Sequence, residues 1–230
     1  IKGINFLKGS IYKTLKNNYY FFLLMVRSKK DLEVQLSKLK NFSEPSLELE
    51  QYATPDTIAA DWIWQMALRG EVAGKTFLDA ASGPGIIGIA LLLMGAKKIY
   101  FVDMDESAMK LCMDNYNQIK EEYEIGEAEF IINDISLFDE EVDITVQNPP
   151  FGTKTEHADK KFLEKAFSVS KVVYSMHKYS TKAFVEAIAK DFEFEITNFW
   201  RYDFPIKATF MHHKKPVKMV DVGLWRMEKV

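Results

Sequence analysis

Apolar positions along this chain change their spacing repeatedly, and each change marks an element. Leu32, Leu36 and Leu39 recur at helical intervals, which predicts a helix ending before Glu44-Pro45. Thr54-Pro55 reads as the N-cap and first helical residue of a second helix that runs to Arg69-Gly70. From there short apolar runs alternate with helical patterns. Strands are predicted over 76–80, 99–102, 128–132, 142–146 and 172–176, and helices over 86–94, 107–119, 160–167 and 181–191. Two further strands, 193–201 and 217–226, follow with no helix between them. Strand–helix alternation with continuously apolar strands implies an α/β fold. Its sheet is mostly parallel and covered on both faces, and the last two strands form an antiparallel hairpin at one edge.

Residues 1–24 stand apart from this pattern. They hold Lys2, Lys8, Lys13 and Lys16 and no acid, and then an apolar run begins at Tyr19. That run is shorter than the roughly 20 residues that span a bilayer. Arg27-Ser28-Lys29-Lys30 follows where a signal peptide would carry small cleavage-site residues. The segment 1–24 reads as an N-terminal extension outside the core, with one domain over 25–230. A helix that binds a partner or a membrane surface is the other reading of the extension.

Composition narrows the function classes. The apolar fraction is 47% and the charged fraction 27%, values of a water-soluble globular protein, with a cytoplasmic location expected. The net charge of −3 argues against bulk attraction to a polyanion, so any nucleic acid must be held by a local basic patch or a larger complex. The single cysteine, Cys112, cannot form an intrachain disulfide and reads as a small buried residue on a helix. No Cys/His cluster has zinc spacing.

Two segments carry candidate chemistry. The first is Asn148-Pro149-Pro150-Phe151, directly after the strand over 142–146. An Asn side-chain oxygen and the carbonyl of the next Pro can each accept one N–H of a planar exocyclic amine. This polarises the nitrogen and turns its lone pair toward an incoming methyl. Two prolines stiffen the turn, and Phe151 offers a ring on which a base could lie. A plain Asn-Pro turn is the bland alternative. The second segment is Asp79-Ala80-Ala81-Ser82-Gly83-Pro84-Gly85-Ile86-Ile87-Gly88, at a strand-to-helix junction. Gly83, Gly85 and Gly88 match GxGxxG, and Asp103 lies twenty residues beyond Gly83, so a nicotinamide dehydrogenase must be weighed. Asp79, placed to meet a cationic methionine end, favours S-adenosyl-L-methionine, as does Asn148 at the end of the fourth strand. Asp103 would accept the ribose hydroxyls and Asp134 the adenine amine; Asp105 reads as a solvated loop acid. Tyr52, Trp62 and Trp64 read as core, and Met104, Met109 and Met113 as ordinary helix packing.

These residues resemble the methyltransferase-like protein 5 family, adenine-N6 methyltransferases of small-subunit rRNA, from about Glu44 to the C-terminus. The marks are Leu49-Glu50-Gln51-Tyr52-Ala53-Thr54-Pro55, Asn148 to Lys154, Val173-Tyr174-Ser175-Met176-His177-Lys178, Arg201-Tyr202-Asp203 and His213-Lys214-Lys215. The resemblance implies a Rossmann-like class I S-adenosylmethionine-dependent methyltransferase with a mostly parallel seven-stranded sheet. It implies cofactor contacts from Gln51, Thr54, Ala81, Pro84 and Ile86 beside Asp79, Gly83, Gly85, Asp103 and Asp134. It implies catalysis by Asn148, Pro149, Pro150 and Phe151, with no metal, and rRNA held by Lys154, His213, Lys214 and Lys215. A small zinc-ribbon activator that adds a strand to the sheet is the implied partner, with Ile99, Phe101 and Met109 as apolar residues to spare near that edge. Family loops carry Gly where this chain has Ala81, which fits if the backbone φ there is negative. Protein glutamine N5-methylation and RNA guanine-N2 methylation use the same Asn-Pro-Pro chemistry and remain alternatives. A catalytically idle RNA-binding scaffold is a third.

Overall fold

The computed structural model describes residues 26–43, 45–46, 50–151, 159–207 and 217–230. The expected extension 1–24 therefore lies outside the described residues, as do Lys154, His213, Lys214 and Lys215.

Seven strands form one sheet: β1 Thr76–Ala80, β2 Lys98–Asp103, β3 Glu127–Ile132, β4 Ile144–Gln147, β5 Val172–Lys178, β6 Phe194–Lys207 and β7 Val217–Lys229. The order is β3-β2-β1-β4-β5-β7-β6. The first five strands are parallel, and β7 is antiparallel to both β5 and β6, as the late pair without a helix required. Chain progression reverses between β1 and β4, so the crevice at their carboxyl ends is the topological switch point, where open α/β sheets bind ligands.

The helices are α1 Lys29–Leu36, α2 Asp56–Leu68, α3 Ile86–Leu93, α4 Glu106–Glu122, α5 Lys160–Val169 and α6 Lys182–Asp191. Alternation along β1 shows how both faces are covered. Phe77 packs into the larger core with α2, α3 and α4, and its neighbour Leu78 packs into the opposite layer with Phe162 of α5. Every side chain of α3 is buried, which explains a helix with no polar face. Cys112 is buried, as expected, and packs against the loop before α3. Trp62 is a core residue, as expected.

Four expectations need correction. Pro55, not Thr54, holds the N-cap position of α2, because the Thr54 hydroxyl is bonded elsewhere. Asp105 is no free acid but the N-cap of α4, where its carboxylate accepts from the backbone N–H of Ser107 at 2.8 Å. Met104 precedes α4 and is 60% exposed rather than packed. Ile99, Phe101 and Met109 are fully buried, so they supply no apolar surface to a partner. The hairpin β6–β7 is longer than expected. Asp203–Lys207 and Val217–Asp221 pair beyond the last residue of β5, roughly 16 Å of ribbon rising past the carboxyl ends of the strands.

Candidate active site

Asp79 sits one residue before the end of β1 and is buried. Its Oδ2 accepts from the Gly88 N–H at 2.8 Å, while its buried Oδ1 has no hydrogen-bond partner among the described residues. Burial pushes its pKa well above the ordinary carboxylate value, partly offset by the Gly88 bond, with nearby Asp103 adding to the rise. The local sequence makes this packing possible. A Cβ on Gly88 would lie 2.3 Å from the Phe101 ring and 2.9 Å from Asp79 Oδ2. Gly85 has φ +80°, and a Cβ there would meet Cys112 Sγ at 2.4 Å.

Ala81 has φ +57°, against the expectation of a negative value. The left-handed turn survives without glycine because it is braced on both sides. Ser82 N donates to the Val102 carbonyl at 3.1 Å, and Gly85 N to the Ser82 carbonyl at 2.9 Å. Asp103 ends β2 beside this loop. One oxygen accepts from Gly83 N at 2.8 Å and the other from Asp105 N at 3.0 Å, which leaves each oxygen a lone pair for a further donor. Burial raises its pKa. Asp134 follows β3, accepts from Ser136 N at 2.9 Å and pairs with Lys161 at 2.7 Å. That hydrogen bond pulls its pKa down to about 2.

The segment before α2 closes the other side. Gln51 Nε2 donates to the Asp105 carboxylate, and its Oε1 accepts from Ser46 N at 2.8 Å. Asn148, directly after β4, donates from Nδ2 to Thr54 Oγ1 at 3.0 Å and to the Tyr52 carbonyl at 3.4 Å. Its Oδ1 is buried with no donor among the described residues. Gln51, Tyr52, Thr54 and Ile86 line a cavity of about 430 Å³ together with Phe42 and Pro205 of the β6 arm. Asn148 thus reaches the wall of that cavity through Thr54, although ninety-four residues separate them in the chain.

Phe151 differs from the expected open ring. It is 6% exposed, stacked on Tyr52 at 6.1 Å and edge-on to Phe204 of β6 at 5.8 Å. The ring is therefore covered by its neighbours and offers no free face to a base in this arrangement.

A buried polar chain lies behind the motif; two of its members, Ser175 and His177, stood in the sequence only as part of a segment of family resemblance. Gln147 Nε2 donates to Ser175 Oγ at 2.9 Å, and Ser175 Oγ lies 2.6 Å from His177 Nε2. His177 Nδ1 lies 3.2 Å from Asp159 Oδ2. All four residues are buried. Both ring nitrogens are engaged, and the tautomer with its proton on Nδ1 would accept from the Ser175 hydroxyl at Nε2 and donate to Asp159. Asp159 is the N-cap of α5 but makes no side-chain cap bond, since its carboxylate is directed to His177. Only the alternation in 173–178 could have hinted that Ser175 and His177 share one face of β5.

The residues at the switch point fit S-adenosylmethionine. A buried carboxylate oxygen without a donor suits an ammonium group, a loop of small residues allows close backbone approach, and Asp103 retains acceptor capacity beside it. Fold and site together define a Rossmann-like class I methyltransferase. The methyltransferase small domain matches residues 64–174. The chain is 31% identical to the rRNA N(6)-adenosine-methyltransferase Mettl5 of Drosophila melanogaster over 89% of this chain and 98% of that protein. It is 32% identical to the rRNA N(6)-adenosine-methyltransferase METTL5 of Danio rerio over 84% of this chain and 94% of the relative. A crystal structure of a candidate RNA methyltransferase from Pyrococcus horikoshii superimposes with a TM-score of 0.80 at 36% identity, covering 90% of this chain and all of the other. The chain belongs to the methyltransferase-like protein 5 family, and it is an S-adenosylmethionine-dependent methyltransferase.

Proposed function

We propose that this protein methylates N6 of one unpaired adenosine in small-subunit rRNA. The observation that carries the reading is Asn148 Oδ1, a buried acceptor with no donor among the described residues, one position past the Gln147–Ala80 pair and so beside the cofactor loop. Its amide faces the Tyr52 carbonyl with the NH₂ group, because that carbonyl can only accept. The oxygen is left for an N–H of the substrate amine, and the Pro149 carbonyl takes the second N–H. Bound S-adenosylmethionine supplies a methyl group already activated on a sulfonium. The protein contributes orientation: Asp79 and Asp103 fix the cofactor, Asn148 fixes the amine, and alignment for in-line transfer lowers the barrier. The family relatives named as rRNA N6-adenosine methyltransferases support adenine over guanine or glutamine as the acceptor.

The β6–β7 arm rises on the side of Asn148, and the sequence that joins its two strands carries His213, Lys214 and Lys215. In this reading those groups and Lys154 hold phosphates and position the strand without reading its sequence. Asp134 takes the adenine amine of the cofactor. At the opposite edge β3 has a neighbour on one side only, with Met104, Ile132 and Leu137 exposed nearby. An activator that pairs with β3 and covers these side chains fits that edge better than the buried Ile99, Phe101 and Met109. A cytoplasmic location is part of this reading. Among the described residues no helix is long and apolar enough to cross a membrane.

Tritium transfer from labelled cofactor decides the acceptor. Small-subunit rRNA, a Gly-Gly-Gln peptide and guanosine-containing RNA are compared, with and without co-expressed activator. Label in N6-methyladenosine of the rRNA is the expected outcome. Label confined to the peptide, or to guanine, overturns it.

A further inference from the structure

The segment between α1 and α2 is pinned at two points, and a single aromatic ring stands between them. Asn115, on the inner face of α4, is fully buried and spends its whole amide on backbone. Its Oδ1 accepts from Lys40 N at 2.8 Å, and its Nδ2 donates to the Lys40 carbonyl at 2.9 Å and to the Pro84 carbonyl at 2.9 Å. One side chain therefore clasps both polar groups of residue 40 and ties them to the cofactor loop. Six residues on, Ser46 and Gln51 form a second clasp: Gln51 N donates to the Ser46 carbonyl at 3.0 Å, and Ser46 N to Gln51 Oε1 at 2.8 Å. Phe42 lies between the clasps. Its ring edge is 3.4 Å from where a Cβ on Gly83 would sit, and its ring lines the cavity shared by Gln51, Thr54 and Ile86. The exposed Lys40–Asp114 pair at 3.5 Å adds little, because such surface pairs are solvent-screened.

We propose that Phe42 is a wall of the S-adenosylmethionine pocket and that Asn115 is the positioning residue that sets it there. A half-buried ring held against Gly83 excludes water from the side of the loop where Gly83 N meets Asp103. A buried amide whose bonds all go to two backbone segments is satisfied and rigid, and it fixes the distance between them. The inference rests on the cofactor assignment and not on the identity of the methyl acceptor.

Calorimetry with S-adenosylhomocysteine on the full chain, without RNA, tests it. Phe42→Ala weakens binding by about tenfold or more, Phe42→Tyr restores it, and both variants melt close to the wild type, since the ring is not a core residue. Asn115→Ala weakens binding as well, with the KM for cofactor rising and the KM for methyl acceptor unchanged. If Asn115→Ala does not fold, Phe42→Ala decides alone. Affinity within about twofold of wild type in folded Phe42→Ala, or a loss that falls on kcat with cofactor affinity intact, overturns the proposal. Absence of methyl transfer to RNA leaves this readout untouched and refutes only the acceptor assignment.

Discussion

Asn148 and Thr54 are joined by a hydrogen bond from Nδ2 to Oγ1 at 3.0 Å, and this bond orients the amide whose buried oxygen has no donor among the described residues. In the proposed function, Asn148→Ala removes the group that would meet the substrate amine. Its kcat should fall by roughly a hundredfold or more, about 3 kcal/mol, with little change in cofactor affinity. Thr54→Val keeps the shape but removes the acceptor, so the amide loses its anchor and kcat falls by a smaller factor. Single-turnover transfer and calorimetry on the same preparations separate the two effects. Wild-type turnover in Asn148→Ala would make the motif a structural turn.

Cofactor binding should weaken as the pH falls through the raised pKa of Asp79. Only the ionised Asp79 attracts an ammonium group, and burial holds its pKa well above that of an ordinary carboxylate. Lowering the pH through that raised value protonates Asp79 and removes the attraction, so affinity is full above it and lost below. The sign for folding is the reverse. A carboxyl group whose folded pKa is raised favours the folded state at low pH, and that advantage is lost as pH rises through the folded value. Asp79→Asn should bind the cofactor poorly at every pH. A wild-type binding curve that is flat across the acidic range refutes this.

Ala81→Gly should stabilise the protein. A left-handed alanine costs about 1–2 kcal/mol, and glycine returns part of this through its freer unfolded chain. The net gain is roughly 0.5–1 kcal/mol, a rise in Tm of about 1–4 °C for a chain of this size. Ala81→Val should do the opposite, since a branched side chain tolerates positive φ least. Thermal melting of the three proteins checks the order.

His177→Leu should be among the most damaging buried substitutions. It removes the imidazole from its bonds with both Ser175 and Asp159, and losing such buried hydrogen bonds costs about 1–3 kcal/mol. Asp159→Asn keeps an acceptor for the Nδ1 proton and should cost clearly less. Urea titration ranks them; equal midpoints would show that the chain carries no stability.

Much of the site was legible because local sequence carried its chemistry. The glycines before α3 announced a loop that needs small residues, and Gly85 and Gly88 are where a Cβ would strike Cys112, Phe101 and Asp79. Asn148-Pro149-Pro150-Phe151 lies at the end of β4, as its place after an apolar run required. The roles of Asp105 and Met104 were misjudged for one reason. Whether a residue at the start of a helix caps, packs or faces solvent depends on what lies beside that helix. That Gln147, Ser175, His177 and Asp159 form one chain was not legible, since its members come from two strands and a helix terminus.

The sequence by itself determined the elements and their class. Period-two and helical spacing, set by backbone geometry, are local properties, and seven apolar strands with five of them parallel followed from them. Only the tertiary structure decided which strand ends meet. The reversal between β1 and β4 brings Asp79 and Asn148 to one crevice, the β6 arm buries Phe151 against Phe204, and α4 lays Asn115 between Lys40 and Pro84. These contacts join residues far apart in the chain. They are settled by which packing of the whole sheet and its helices buries the most apolar surface while leaving the fewest polar groups unpaired. No window of sequence contains that comparison.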